Sequence, residues 1–113
     1  MEEIVKWAHQ NQLFILADEV YQDNVYAEGM EWHSFKKVAF ELGEPYKNME
    51  IASFYSTSKG YMGECGARGG FMEIVNMDEF VKQQLSKLVS VRLCSAALGQ
   101  VISLFMFNLK FYL

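Results

Sequence analysis

The chain has 113 residues, a net charge of −4 and 51% hydrophobic residues. That is the length of one domain with enough apolar surface for a core, which argues against disorder, and the lack of a basic stripe argues against a nucleic-acid partner. Cys65 and Cys94 show no C-x-x-C spacing, which speaks against both a zinc site and a disulfide scaffold.

Residues 1–12 predict an amphipathic helix, with Ile4, Val5, Ala8 and Met1 on one face and Trp7 beside it. Its acidic opening, Met1-Glu2-Glu3, has neither the basic start nor the apolar run of a secretory signal. A reducing compartment is the default expectation. Residues 13–17 (Leu-Phe-Ile-Leu-Ala) form a continuous apolar run of strand length, as in a parallel strand buried on both faces. Asp18 and Tyr21 follow where that strand ends. Ligands of open α/β sheets bind outside the carboxyl ends of strands. Either the pair faces a ligand there, or Asp18 caps a turn and Tyr21 packs in the core.

Residues 22–32 have no clean period. Ser34 predicts an N-cap for a helix over 35–42, striped by Phe35, Val38, Ala39 and Leu42 and stopped by Gly43. Lys36 and Lys37 read as a solvated face. His9 and His33 stand apart from each other and from the cysteines, as surface or capping residues do. A connector around Pro45 leads to a second strand over 49–55, and a third is expected over 70–75. Asn76 or Asp78 then caps a helix over 79–92, with Phe80, Val81, Leu85, Leu88, Val89 and Arg92 at helical spacing. Residues 93–113 are apolar, broken by Ser95, Gln100, Ser103, Asn108 and Lys110. They fall short of a membrane span, and a helix packed against other protein is expected instead. Strands alternating with helices make the class α/β.

Between the second and third strands lies Ser56-Thr57-Ser58-Lys59-Gly60-Tyr61-Met62-Gly63-Glu64-Cys65-Gly66-Ala67-Arg68-Gly69-Gly70. Glycines allow positive φ and close approach to a ligand, while small hydroxyls and a guanidinium are donors for phosphate oxygens. Lys59 is either a point charge on that phosphate or a nucleophile that forms a Schiff base. A flexible loop with a solvated lysine and arginine has the same composition. A Walker loop does not: it places glycine before Lys-Ser/Thr, and here the serines precede Lys59.

Residues 13–26 (Leu-Phe-Ile-Leu-Ala-Asp-Glu-Val-Tyr-Gln-Asp-Asn-Val-Tyr) together with residues 56–70 resemble the class I/II pyridoxal-phosphate-dependent aminotransferases. The likeness runs over about residues 1–100, flanked by His-Ser-Phe-Lys-Lys at 33–37 and Val-Asn-Met-Asp at 75–78. It implies part of the large domain of the aspartate aminotransferase-like fold (fold type I), with a divergent apolar tail over 101–113. It also implies pyridoxal 5'-phosphate as cofactor, held by Lys59 as a Schiff base, Asp18 on the pyridine nitrogen, Tyr21 on the ring oxygen, and Ser56, Ser58 and Arg68 on the phosphate. The longer spacing from lysine to arginine resembles the branch that exchanges an amino group between L-alanine and 2-oxoglutarate. Small amino acids and 2-oxo acids would then be substrates, a homodimer the working form, and the cytoplasm or mitochondrion the location. The family's Asn-Pro-x-Gly segment, its ring-stacking aromatic and its downstream substrate arginine have no counterpart here; Arg92 is the one other arginine. The expectation is therefore a central piece of the cofactor domain, working inside a larger enzyme or persisting as a non-catalytic interaction partner.

Overall fold

The computed structural model describes residues 1–109, with side chains through residue 106. Helix α1 (Glu2–Gln10) precedes strand β1 (Ile15–Asp18), and helix α2 (Phe35–Glu41) precedes strand β2 (Ile51–Ser56). Strand β3 (Gly70–Val75) and helices α3 (Glu79–Ser90) and α4 (Ala97–Leu109) complete the order. Short 3-10 turns lie at Tyr46–Asn48 and Cys65–Ala67.

Local chemistry accounts for most boundaries. Glu2 and Glu3 sit in the first turn of α1, where the helix dipole favours negative charge. The Ser34 hydroxyl accepts from the Lys37 N–H at 3.0 Å, capping α2 as expected. Of the two candidate caps for α3, Asp78 fills the role: its carboxylate accepts from the Val81 N–H at 3.1 Å. Asn76 instead takes a left-handed φ of 54°. Its side-chain amide donates to the carbonyls of Lys47 at 2.8 Å and Met49 at 3.1 Å, tying the end of β3 to the approach to β2.

The sheet order is β1-β2-β3. β1 and β2 are parallel, with Ile15 opposite Ile51 and Asp18 opposite Phe54. β3 returns antiparallel, with Val75 opposite Ile51 and Gly70 opposite Ser56. Val5 and Ala8 of α1 and Val38 and Ala39 of α2 pack with Ile15, Ala17 and Ile51 into the core. Both helices therefore cover the same sheet face. Strand β1 was expected to be buried on both faces, but Leu16, on the other face, is 68% exposed. Its apolar run reflects a strand whose second face has no such helix layer here.

Other expected apolar faces are narrower than their spacing suggests. Ile4 and Trp7 stay half exposed while Val5 and Ala8 carry the burial. α3 buries none of its residues despite its helical spacing. Lys36 is not simply solvated: it forms an ion pair with Glu73 on β3. The radius of gyration is 15.8 Å, against about 13 Å for a compact domain of this length, and the extents are 44 × 41 × 21 Å. The described residues thus make a slab with much apolar surface on its faces.

α4 runs across the 100/101 boundary read from the sequence and is anchored by Met106, whose sulfur accepts from the Tyr55 hydroxyl at 3.3 Å. Among the described residues no helix is long and apolar enough to cross a membrane. Lys110 and the rest of the tail read at 110–113 lie outside the described residues.

Candidate functional site

Parallel pairing decides where the chemistry gathers. Because β1 and β2 run the same way in register, Asp18 and residues 56–59 leave the sheet at one edge, its carboxyl edge. The Glu19 N–H donates to the Phe54 carbonyl at 3.1 Å, extending the pairing one residue further. The chain then turns: the Gln22 N–H bonds the Glu19 carbonyl at 3.3 Å and the Asn24 N–H bonds the Tyr21 carbonyl at 2.9 Å. Tyr21 sits in this turn and is 59% exposed, so it does not pack in the core.

Residue 60 carries the contact that joins the two halves. Gly60 has φ +61°, and a Cβ built on it would lie 2.6 Å from the Val20 carbonyl oxygen and 3.5 Å from the Asn24 side-chain oxygen. Only glycine satisfies both the left-handed turn and the close approach. The turn bearing Lys59 therefore rests on the turn that follows Asp18 and carries Tyr21. All three candidate side chains, Asp18, Tyr21 and Lys59, are exposed, and among the described residues none of them makes a side-chain hydrogen bond or ion pair.

The glycine loop is closed by specific hydrogen bonds, while Lys59 and Arg68 both lie exposed on it. Thr57 closes it. Its N–H donates to the Gly69 carbonyl at 3.1 Å, and its hydroxyl donates to the same carbonyl at 3.0 Å while accepting from the Gly69 N–H at 3.3 Å. The Glu64 N–H reaches the Thr57 carbonyl at 2.9 Å. Thr57 is 0% exposed, whereas Ser56 and Ser58 are half-buried. Sequence reasoning took the two serines as phosphate donors and passed over the threonine between them. β2 ends at Ser56 and the chain turns at Thr57, so no strand period marks which of the three hydroxyls is buried.

Arg68 is held on the other limb of the loop. It adopts φ +52° at the end of the Cys65–Ala67 turn, and its guanidinium donates to the Cys65 carbonyl at 3.0 Å. The Cys65 thiol contacts the Ser58 carbonyl at 3.5 Å. Cys65 thus bridges the limb carrying Ser58 to the limb carrying Arg68, and both cysteines are free thiols. Arg92 lies just past α3, its N–H bonded to the Val89 carbonyl at 3.1 Å.

Below this edge, Tyr55 stacks on Phe71 with ring centroids 5.1 Å apart. Burial, and secondarily the negative charge of Asp23, push its phenol above the ordinary value of 10.0. Trp32, Ser53, Tyr55, Phe71 and Met106 bound a cavity of ≈ 310 Å³ on the same side. Asp18, Lys59 and Arg68 are not among its walls. Arg68 instead lines a second cavity, shared with Gly69, Gly99 and Gln100, between the loop and α4.

A carboxylate at the end of one parallel strand and a lysine-containing hydroxyl- and glycine-rich loop at the end of its neighbour, within an α/β sheet, define the class. The chain belongs to the aminotransferase class I and II family, whose model matches residues 1–108. Alanine aminotransferase 2 of Xenopus laevis is 63% identical over 103 residues, 90% of this chain and 19% of that protein. Alanine aminotransferase 1 of Homo sapiens is 60% identical over 103 residues, 90% of this chain and 21% of its own length. A mitochondrial alanine aminotransferase 1 of Arabidopsis thaliana is 48% identical, covering 89% of this chain and 19% of that protein. The crystal structure of an aminotransferase from Escherichia coli superposes with a TM-score of 0.65 at 32% identity, covering 88% of this chain and 23% of that one. The chain spans about a fifth of the length of the curated relatives it matches, and its α/β sheet corresponds to part of the aminotransferase large domain.

Proposed function

We propose that this chain carries the reactive-lysine edge of a pyridoxal-phosphate-dependent alanine transaminase, which moves an amino group between L-alanine and 2-oxoglutarate as part of a larger enzyme. The observation that carries this reading is the seat of Gly60 on Val20, which puts the turn of Lys59 against the turn that follows Asp18 and carries Tyr21. The similarity to alanine aminotransferases supports the choice of substrates.

The donor set at this edge fits the cofactor. Two half-buried serines and a guanidinium, linked through Cys65, offer hydroxyl and charged N–H donors for a phosphate. A carboxylate on the neighbouring strand suits a protonated pyridine nitrogen. When bound, the cofactor supplies an aldehyde for amines and a ring that withdraws electrons from the substrate Cα.

The rest is the work of this chain's residues. Asp18 would accept the ring N–H and hold the pyridine nitrogen protonated. Tyr21 would direct its phenol to the ring oxygen. Ser56, Ser58 and Arg68 would anchor the phosphate against rotation, which is an orientation effect. The Lys59 amine would be the nucleophile toward the aldehyde and would move the proton at the substrate Cα as general base and acid. Neither its amine nor the Asp18 carboxylate is engaged by another described residue, so neither has a bond to break first. A homodimer, in the cytoplasm or mitochondrion, is the working form we propose.

Borohydride reduction after addition of pyridoxal phosphate, followed by peptide mapping, tests the lysine. The expected label is on Lys59 and disappears in Lys59→Ala. Label spread evenly over Lys6, Lys36, Lys47 and the other surface lysines would sink the reading. Pyruvate formation from alanine then separates a chain that only holds cofactor from one that turns over.

A further inference from the structure

α4 meets residues 67–69 of the glycine loop at a close approach of backbone to backbone. A Cβ built on Gly99 would lie 2.5 Å from the Ala67 carbonyl oxygen, 2.8 Å from the Arg68 carbonyl oxygen and 2.9 Å from the Arg68 carbonyl carbon. From the other side, a Cβ on Gly69 would lie 2.5 Å from the Gly99 carbonyl oxygen and 2.9 Å from its Cα. Two glycines, thirty residues apart, thus let a helix and a turn meet without side chains between them. Gly99 is buried although its neighbours in α4 are largely exposed.

The segment under that contact is the strained one. Arg68 holds φ +52°, a left-handed conformation that costs a non-glycine residue about 1 kcal/mol or more and persists only where the surroundings enforce it. On one side Gly69 is fastened to Thr57. On the other, α4 presses on the carbonyls of residues 67 and 68. The Ser103 hydroxyl donates to the Gly99 carbonyl at 2.8 Å, so the touching turn of the helix is itself braced.

We propose that Gly99 is a positioning residue for the phosphate end of the site: its missing side chain lets α4 rest on residues 67–69 and fix the left-handed turn that aims Arg68. This rests on the reading of Arg68 as a phosphate ligand. An alanine at 99 meets backbone atoms, which cannot swing aside as a side chain can. Ordinary carbon–oxygen contacts are about 3.3 Å or longer, so the helix or the turn must retreat by roughly 0.8 Å. A charge-assisted hydrogen bond loses its geometry at such a displacement.

The test compares pyridoxal phosphate with pyridoxal, which lacks the phosphate, by borohydride-trapped occupancy of Lys59 in the full chain. Wild type is expected to prefer the phosphorylated aldehyde. Gly99→Ala is expected to weaken pyridoxal phosphate by about 10- to 100-fold, the worth of one charged hydrogen bond, while pyridoxal is unchanged. Equal loss for both aldehydes, or an intact preference in Gly99→Ala, overturns the role of Gly99 alone. A wild type without any preference overturns the reading of Arg68 and Gly99 with it. Should the variant not fold, hydrogen exchange on wild type decides. Coupling is reciprocal, so pyridoxal phosphate must slow exchange of the Gln100 N–H, which bonds the Ala96 carbonyl at 3.1 Å in the first turn of α4. Unchanged exchange there overturns the proposal.

Discussion

Replacing Thr57 by valine keeps the side-chain shape and removes one oxygen. In the structure that oxygen donates to the Gly69 carbonyl at 3.0 Å and accepts from the Gly69 N–H at 3.3 Å. The carbonyl keeps a partner, because the Thr57 N–H also reaches it at 3.1 Å. The Gly69 N–H loses its partner. Leaving this part-buried donor unsatisfied costs about 1–3 kcal/mol, which is the expected destabilisation. With a urea m-value near 1.5 kcal/mol/M for a chain of this size, the midpoint of unfolding falls by roughly 0.7–2 M. Urea titration followed by tryptophan fluorescence reads it, since Trp7 and Trp32 report on the helix side and on the cavity wall. Ser58→Ala serves as the comparison, because its hydroxyl carries no hydrogen bond among the described residues, and it should stay within about 0.5 kcal/mol of wild type. A Thr57→Val midpoint equal to that of Ser58→Ala would refute the claim that Thr57 closes the loop.

Further outcomes follow from other contacts. Ile51→Ala, at a side chain 1% exposed between the two packed helices and the neighbouring strands, should cost about 3 kcal/mol by thermal or urea unfolding. Asn76→Ala removes the two bonds to the Lys47 and Met49 carbonyls and puts alanine at φ 54°, for a loss of about 2–3 kcal/mol. Asn76→Gly should recover the conformational part, about 1 kcal/mol, and no more. Tyr55 has its phenol pushed up in the fold, so its contribution is fully present below pH 10.0, the ordinary value, and is lost as pH rises through the folded value. Urea midpoints should therefore fall above that pH, and Tyr55→Phe should flatten the fall, whereas an equally steep fall in the variant would contradict the burial of this phenol. Tyrosinate absorbance of the folded chain should likewise show one phenol ionising later than the rest.

Along the chain, local chemistry was legible. The bounds of β3, the Ser34 cap and the choice between Asn76 and Asp78 depend on residues a few positions apart, and two of the three read correctly without a fold. The Asp18 and Lys59 motifs were equally visible, because each is a short run with unusual composition. Burial was less legible. Periodicity in β1 and α3 marks which side chains could be covered, but coverage depends on where helices land, and α1 and α2 both landed on the same sheet face.

The sequence by itself determined the α/β alternation and marked the candidates, a lysine among hydroxyls and glycines and a strand-end carboxylate. Tertiary structure alone decided that these share an edge. The parallel pairing of β1 with β2, the seat of Gly60 on Val20, the Thr57 closure and the Gly69–Gly99 contact join residues that are 12 to 40 positions apart. Such contacts leave no period in the chain. They exist because glycine lets backbone meet backbone, and because a buried N–H must find its acceptor wherever the fold supplies one.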